Sequence, residues 1–236
     1  VGFSAGFATG GVMVIVSYEF VSNGIDDWLG REVEESLDAS YELAQNYYRA
    51  NADEALAHVC ERVDAVQEFT LTVPRGEFVA LMGPSGCGKT TLLNLFGCID
   101  VPNSGTLHVF GEDVSAMSEG RRAGLRLRRI GFVPQLPPPL RMPVGRLLDF
   151  AATVCGGATK PMEEVSQRLG LDPHAVWKQP FAKLSGGQKQ KLLIAIALGR
   201  ACEVLVMDEP AANLDPQARR VFFELLAERQ GSATML

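Results

Sequence analysis

The sequence predicts an α/β fold: a parallel sheet built around a glycine-rich strand-to-helix turn, with an α-helical insertion inside it and a helical extension ahead of it. Three observations carry this. Gly83-Pro84-Ser85-Gly86-Cys87-Gly88-Lys89-Thr90-Thr91 fits the pattern G-x-x-x-x-G-K-[ST] at every fixed position, between the apolar run Phe78-Val79-Ala80-Leu81-Met82 and a helical run through Phe96. Val204-Leu205-Val206-Met207 is a second unbroken apolar run and ends on the acidic pair Asp208-Glu209. The chain ahead of residue 63 lacks this strand and helix alternation altogether.

In chain order, no residue from Val1 to Tyr18 is charged and Val12-Met13-Val14-Ile15-Val16 is strongly apolar, so residues 1–22 are expected to form a membrane helix. Glycine and alanine in its first half weaken the span, which leaves a buried helix as the alternative. Residues 23–62 are acidic and rich in helix formers. Val33, Leu37, Tyr41, Ala44 and Tyr48 fall near helical spacing, predicting an amphipathic helix or hairpin. From residue 63 the pattern becomes α/β. Residues 69–73 alternate as a strand, Pro74-Arg75-Gly76 turns, and the run 78–82 reads as a strand buried on both faces of a parallel sheet. Further strands are expected at 106–110, 130–133 and 204–207, with a last one at 233–236 that looks cut short; helices are expected at 144–154, 163–169, 192–198 and 217–228. The proline-dense stretch 134–143 opens the inserted helical part, which runs to about residue 191.

Composition narrows the functional classes. An apolar fraction of 47% supports a full core, and a net charge of −6 gives no sign of a nucleic-acid surface. The basic run Arg121–Arg129 has no interleaved aromatics and reads as a solvated helix face. Cys60, Cys87, Cys98, Cys155 and Cys202 form neither a C-x-x-C pair nor a metal spacing, and are read as free thiols of a reducing compartment.

The chemistry of the first motif follows from its residue types. A triphosphate is a dense anion, and successive N–H groups of a glycine-rich turn at a helix N-terminus bind it without side chains in the way. Gly83, Gly86 and Gly88 permit the turn, with Pro84, Ser85 and Cys87 between them; Lys89 puts a positive charge on the β- and γ-phosphates, and Thr90, followed by Thr91, can ligate Mg²⁺. A nucleotide triphosphate with Mg²⁺ is therefore the expected ligand. At the end of 204–207, where parallel sheets place ligand-binding groups, Asp208 can hold the Mg²⁺ shell and Glu209 can take a proton from an attacking water.

Between these two motifs stands Leu184-Ser185-Gly186-Gly187-Gln188, which matches the signature of ATP-binding cassette (ABC) proteins. From about residue 64 to 236 the chain resembles that family, most closely its lipoprotein-release and macrolide-export branch. Ser185, Gly186 and Gly187 open a helix, so hydroxyl, N–H groups and dipole make a second anion site. The resemblance implies that this site, Gln188 included, caps the γ-phosphate on the other copy of a head-to-tail homodimer. It also implies that Gln135 is the glutamine that serves the catalytic site and its Mg²⁺ and couples it to a transmembrane permease subunit, and that Ala212-Asn213-Leu214-Asp215 is the loop following the acidic strand. The implied function is an ATPase subunit powering a transporter at the cytoplasmic face of the bacterial inner membrane, with no nucleic acid as partner.

Two departures stand out. The family's adenine-stacking aromatic has no counterpart between Tyr48 and Phe69, and its switch histidine falls beyond Leu236, which leads to an expectation of weak turnover. The alternatives are an ABC ATPase without a transport role and a hybrid chain with an impaired cassette. A DNA-repair type would carry a long coiled-coil insertion where only 94 residues separate Lys89 from Leu184, and a ribosome-acting type usually has two cassettes. Residues 1–60, through Asn23-Gly24-Ile25-Asp26-Asp27-Trp28-Leu29 and Ala39-Ser40-Tyr41-Glu42-Leu43, distantly resemble the N-terminal membrane segment of nitrogen-regulation-type sensor histidine kinases.

Overall fold

The computed structural model describes residues 4–7, 13–16, 71–83 and 86–236, the first two segments as backbone only. The amphipathic extension and most of the kinase-like stretch lie outside the described residues. The chain divides into two compact units, Val1–Leu92 and Leu93–Leu236.

In the first unit β1 (Ser4–Phe7), β2 (Met13–Val16) and β3 (Val79–Met82) form an antiparallel sheet in the order β1-β2-β3. Ser4 pairs with Val16 and Phe7 with Met13; Met13 in turn pairs with Met82 and Val16 with Val79. This corrects two expectations. Residues 1–22 are not one membrane helix: their described parts are strands, as suits the β-branched run Val14-Ile15-Val16. Among the described residues no helix is long and apolar enough to cross a membrane. Among the described residues the strand ahead of the glycine-rich turn pairs antiparallel with β2 and with no parallel partner, and it is not buried on both faces: Val79 is buried while Ala80, Leu81 and Met82 are half-buried. An apolar run does not by itself choose between parallel and antiparallel partners, and here a neighbour from distant sequence takes its hydrogen bonds. Leu71, Thr72 and Val73 lie outside any strand. The division between the units falls within α1 (Lys89–Phe96).

The second unit holds a parallel sheet in the order β6-β7-β8, formed by β6 (Ile130–Val133), β7 (Val204–Met207) and β8 (Thr234–Met235). Ile130 pairs with Val204, Val133 with Met207, and Leu205 with Met235. β6 and β7 are the apolar runs that a parallel sheet favours, and Val133, Leu205, Val206 and, in β8, Met235 are buried. Gly131 is needed for close packing, because a Cβ there would lie 2.7 Å from the Leu205 side chain. The expected strand 106–110 shortens to β4 (His108–Val109), which pairs with β5 (Glu112–Asp113) across Phe110-Gly111, both at positive φ, as a tight hairpin turn demands.

The basic run forms α2 (Glu119–Arg129), and its cations are mostly paired. Arg122 and Arg126 hold Glu119, whose carboxyl they pull below the usual carboxylate range. Arg129 forks onto Glu203 at 2.6 and 3.1 Å, tying the end of α2 to the start of β7, while its guanidinium lies 3.6 Å over the Phe110 ring. Cys98, fully buried after α1, has its thiol pushed up to about 11 by burial.

The inserted part consists of α3 (Val144–Cys155), α4 (Lys160–Arg168), a 3₁₀ turn at Phe181–Lys183 and the N-terminal half of α5 (Gly186–Leu198). Val144, Leu148, Met162, Phe181, Leu184 and Leu192 close one apolar cluster. α3 ends on Gly156 in the left-handed conformation, with the Gly157 N–H bonded back to Ala152 at 2.9 Å. After β7 comes α6 (Pro216–Arg229), capped by Asp215, whose carboxylate accepts from the Ala218 N–H at 2.9 Å. α5 and α6 thus start earlier than the apolar periodicity indicated, because cap residues rather than core residues set a helix's first turn.

Candidate functional site

The glycine-rich turn follows β3 directly. Gly86 and Gly88 adopt φ of 83° and 91°, a conformation only glycine takes without strain, and Lys89 is the first residue of α1. The Lys89 ammonium donates to the Gly83 carbonyl at 2.7 Å and lies 3.7 Å from the Cys87 sulfur, so the side chain folds back across the turn. Thr90 and Thr91 follow in the first turn of the helix, Thr90 exposed. Pro84 and Ser85 lie outside the described residues. The described backbone is thus a strand, a glycine turn and a helix N-terminus, an arrangement whose N–H groups suit an anion.

In the second unit the end of β7 brings the acidic pair to the sheet's C-terminal edge. Asp208 is buried, 6% exposed, its N–H bonded to the Val133 carbonyl at 2.9 Å. The next residue turns sharply: Glu209 has φ of 46°, left-handed and non-glycine, which throws its side chain out of the strand direction into an exposed position. Gln135, two residues past β6, reaches it, its amide donating to a Glu209 carboxylate oxygen at 2.9 Å. The parallel register of β6 and β7 makes this contact between residues far apart in sequence, since their strands end side by side.

Leu184 is buried and Ser185 caps α5 in a full capping box: the Ser185 hydroxyl accepts from the Gln188 N–H at 3.2 Å and the Gln188 side-chain oxygen accepts from the Ser185 N–H at 2.9 Å. Ser185, Gly186, Gly187 and Gln188 therefore form one pre-set first turn. Over its first two turns α5 grips the loop after Glu209. A Cβ on Gly187 would lie 3.0 Å from the Asn213 carbonyl, Gln190 donates to the Pro210 carbonyl at 3.1 Å, and Lys191 pairs with Asp215 at 2.6 Å. Lys191 and the cap hydrogen bond hold the Asp215 carboxyl below its usual range. Sequence reading did not single out Gln190. Its only signal was a glutamine at a position of α5 where the other buried residues are apolar.

Among the described residues no group of three or more His, Cys, Asp and Glu side chains could hold a metal ion. In the second unit the Asp208 carboxylate and the Gln135 side-chain oxygen are hard oxygen donors, of the kind Mg²⁺ takes together with waters and phosphate. His108 and His174 are exposed; His174 stacks on Trp177 and faces Glu163 at 3.3 Å.

A glycine-rich strand-to-helix turn ending in Lys89-Thr90, an apolar strand ending in Asp208-Glu209 and a Ser185-capped helix start are the marks of a phosphate-loop nucleotide-binding ATPase. The sequence family described as ABC transporter matches residues 66–212. The lipoprotein-releasing system ATP-binding protein LolD of Anaeromyxobacter dehalogenans is 42% identical over 70% of this chain and 72% of its own length. The macrolide export ATP-binding/permease protein MacB of Bradyrhizobium diazoefficiens is 35% identical over 77% of this chain, which spans only 30% of that relative. A dimeric ATP-binding cassette solved in a post-hydrolysis state with ADP and Pi superposes with a TM-score of 0.63 at 26% identity, covering 72% of this chain and 78% of that one. The chain belongs to the ABC transporter family, as its ATP-binding, ATP-hydrolysing part. The family match, residues 66–212, lies within the cassette.

Proposed function

We propose that this cassette hydrolyses ATP–Mg²⁺ to drive export of a lipoprotein, peptide or macrolide-like cargo through a transmembrane permease subunit, at the cytoplasmic face of the bacterial inner membrane. The functional cassette is residues 63–236, with its helical part at about 134–191. The observation that carries the reading is the Gln135 to Glu209 hydrogen bond beside Asp208, since it gathers, at one sheet edge, a proton acceptor, a carboxylate suited to metal and a polar amide. Gly83 to Thr91, Pro84 excepted, hold the phosphates through backbone N–H groups, and Lys89, drawn off the Gly83 carbonyl, neutralises β- and γ-charge. Thr90 in the first unit and Asp208 and Gln135 in the second are the candidate Mg²⁺ ligands, and Mg²⁺ when bound would offset charge on the phosphates. Glu209 accepts the proton of the attacking water. Ser185, Gly186, Gly187 and Gln188 cap the γ-phosphate held by a second copy, so two copies assemble head to tail; the dimeric state of the matched cassette supports this. The lipoprotein-release and macrolide-export relatives support the cargo class.

Lys89→Ala tests the reading. Loss of ATP binding at micromolar nucleotide, with the thermal melt unchanged, is expected. Unchanged affinity in a folded variant would remove the phosphate-loop role.

A further inference from the structure

Gln190 is 0% exposed in the interior of α5, yet half of its amide has nothing to bond. Its nitrogen donates to the Pro210 carbonyl at 3.1 Å and its oxygen has no hydrogen-bond partner. A buried, half-satisfied amide costs stability that an apolar residue of the same volume would not, so core packing gives no account of it. The amide orientation is fixed by the partner: Pro210 offers only an acceptor, so a donor must face it.

Pro210 directly follows Glu209, the residue held at a φ of 46°. That conformation is disfavoured for a residue with a Cβ and persists only where its surroundings impose it. The peptide that joins Glu209 to Pro210 has no N–H of its own to anchor it, because proline lacks one. The next carbonyl along, that of Pro210, is the atom Gln190 grips. Gly187, Gln190 and Lys191 lie at helical spacings of three and four on one face of α5, and all three press on the loop from Pro210 to Asp215. Ser185 opens that same helix one turn earlier.

We propose that Gln190 is a positioning residue for Glu209: its hydrogen bond to Pro210 locks the loop that aims the carboxylate, and it ties that aim to the helix whose first turn carries the second anion site. This rests on Glu209 being the proton acceptor. Gln190 itself touches neither nucleotide nor water.

The test measures steady-state ATP hydrolysis, ATP affinity and thermal melting on the full chain. Gln190→Met keeps length and bulk but cannot donate, so kcat is expected to fall at least tenfold while ATP affinity stays within twofold. Gln190→Glu supplies the sharper reading. As a carboxylate it repels the Pro210 carbonyl, and as the neutral acid it donates to it. Its kcat, relative to the parent chain at each pH, should therefore rise as pH falls, which a loss of packing would not produce. Glu209→Gln serves as the control. If Glu209→Gln turns over normally, the proton-acceptor assignment fails. If Glu209→Gln is inactive while Gln190→Met retains kcat within twofold, the positioning role is overturned. It is equally overturned if the relative kcat of Gln190→Glu shows no pH dependence.

Discussion

Glu209 sits at φ 46° with its carboxylate in contact with the Gln135 amide at 2.9 Å, so its backbone strain and its partner both point the side chain away from the strand it follows. Replacing it by Gln preserves shape and hydrogen-bonding capacity but removes the proton acceptor. Hydrolysis should drop by about 10²- to 10⁴-fold with ATP affinity unchanged, read as phosphate release beside nucleotide titration. At Asp215 the effect is on stability rather than turnover. Lys191 and the Ala218 N–H depress its carboxyl pKa in the folded state, so its contribution is present above the ordinary aspartate value and is lost as pH falls through the lowered folded value. Asp215→Asn keeps the cap but discards the ion pair. Its melting temperature should lie below the parent's near pH 7, and the gap should close in acid as the parent's own carboxyl protonates. A gap that persists once the parent's carboxyl is protonated would mean that the charge is not what matters.

The elements hold these residues in place through close approaches that leave no room for a side chain. Gly145, in the first turn of α3, would place a Cβ only 2.2 Å from the Trp177 ring, and its N–H donates to the Trp177 carbonyl at 3.0 Å. Gly145→Ala must push the indole or the helix aside, at a cost of about 1–3 kcal/mol, to be read from the denaturant midpoint; unchanged stability would show that Trp177 moves freely. A similar approach occurs where α5 ends, as a Cβ on Gly199 would meet the backbone of Met162 at 2.5 Å. Helix ends are also satisfied across elements: the Arg200 guanidinium donates to the Arg126 and Leu127 carbonyls at the end of α2, and Arg229 donates to the Leu198 carbonyl at the end of α5. None of these capping contacts lies in a local motif, which is why no pattern of neighbouring residues foretold them.

At the scale of the whole molecule the proposed dimer makes its own prediction. If hydrolysis reopens a pair of cassettes clamped on ATP, then Glu209→Gln with ATP–Mg²⁺ should show a species of twice the 25.5 kDa chain mass by light scattering, and Lys89→Ala should not. A Glu209→Gln chain that stays at single mass with ATP bound would count against the head-to-tail assembly.

By itself the sequence determined the motifs whose chemistry demands fixed spacing: the glycine turn with Lys89 and Thr90, the apolar strand ending in Asp208-Glu209, and the Ser185 cap. Each is local, so the residues that act together are near neighbours and their pattern survives in one dimension. The parallel strands at 130–133 and 204–207 were legible for the same reason, being short runs apolar on every residue. Only the tertiary structure decided which strands meet. Hydrogen bonding in a sheet is blind to sequence distance, so β3 pairs with β2 from the N-terminal segment, and the expected parallel neighbour and membrane helix both gave way. The tertiary structure likewise decided that Gln135 reaches Glu209 and that Gln190 holds Pro210, because those contacts arise from strand register and helix packing between segments that carry no mark of each other.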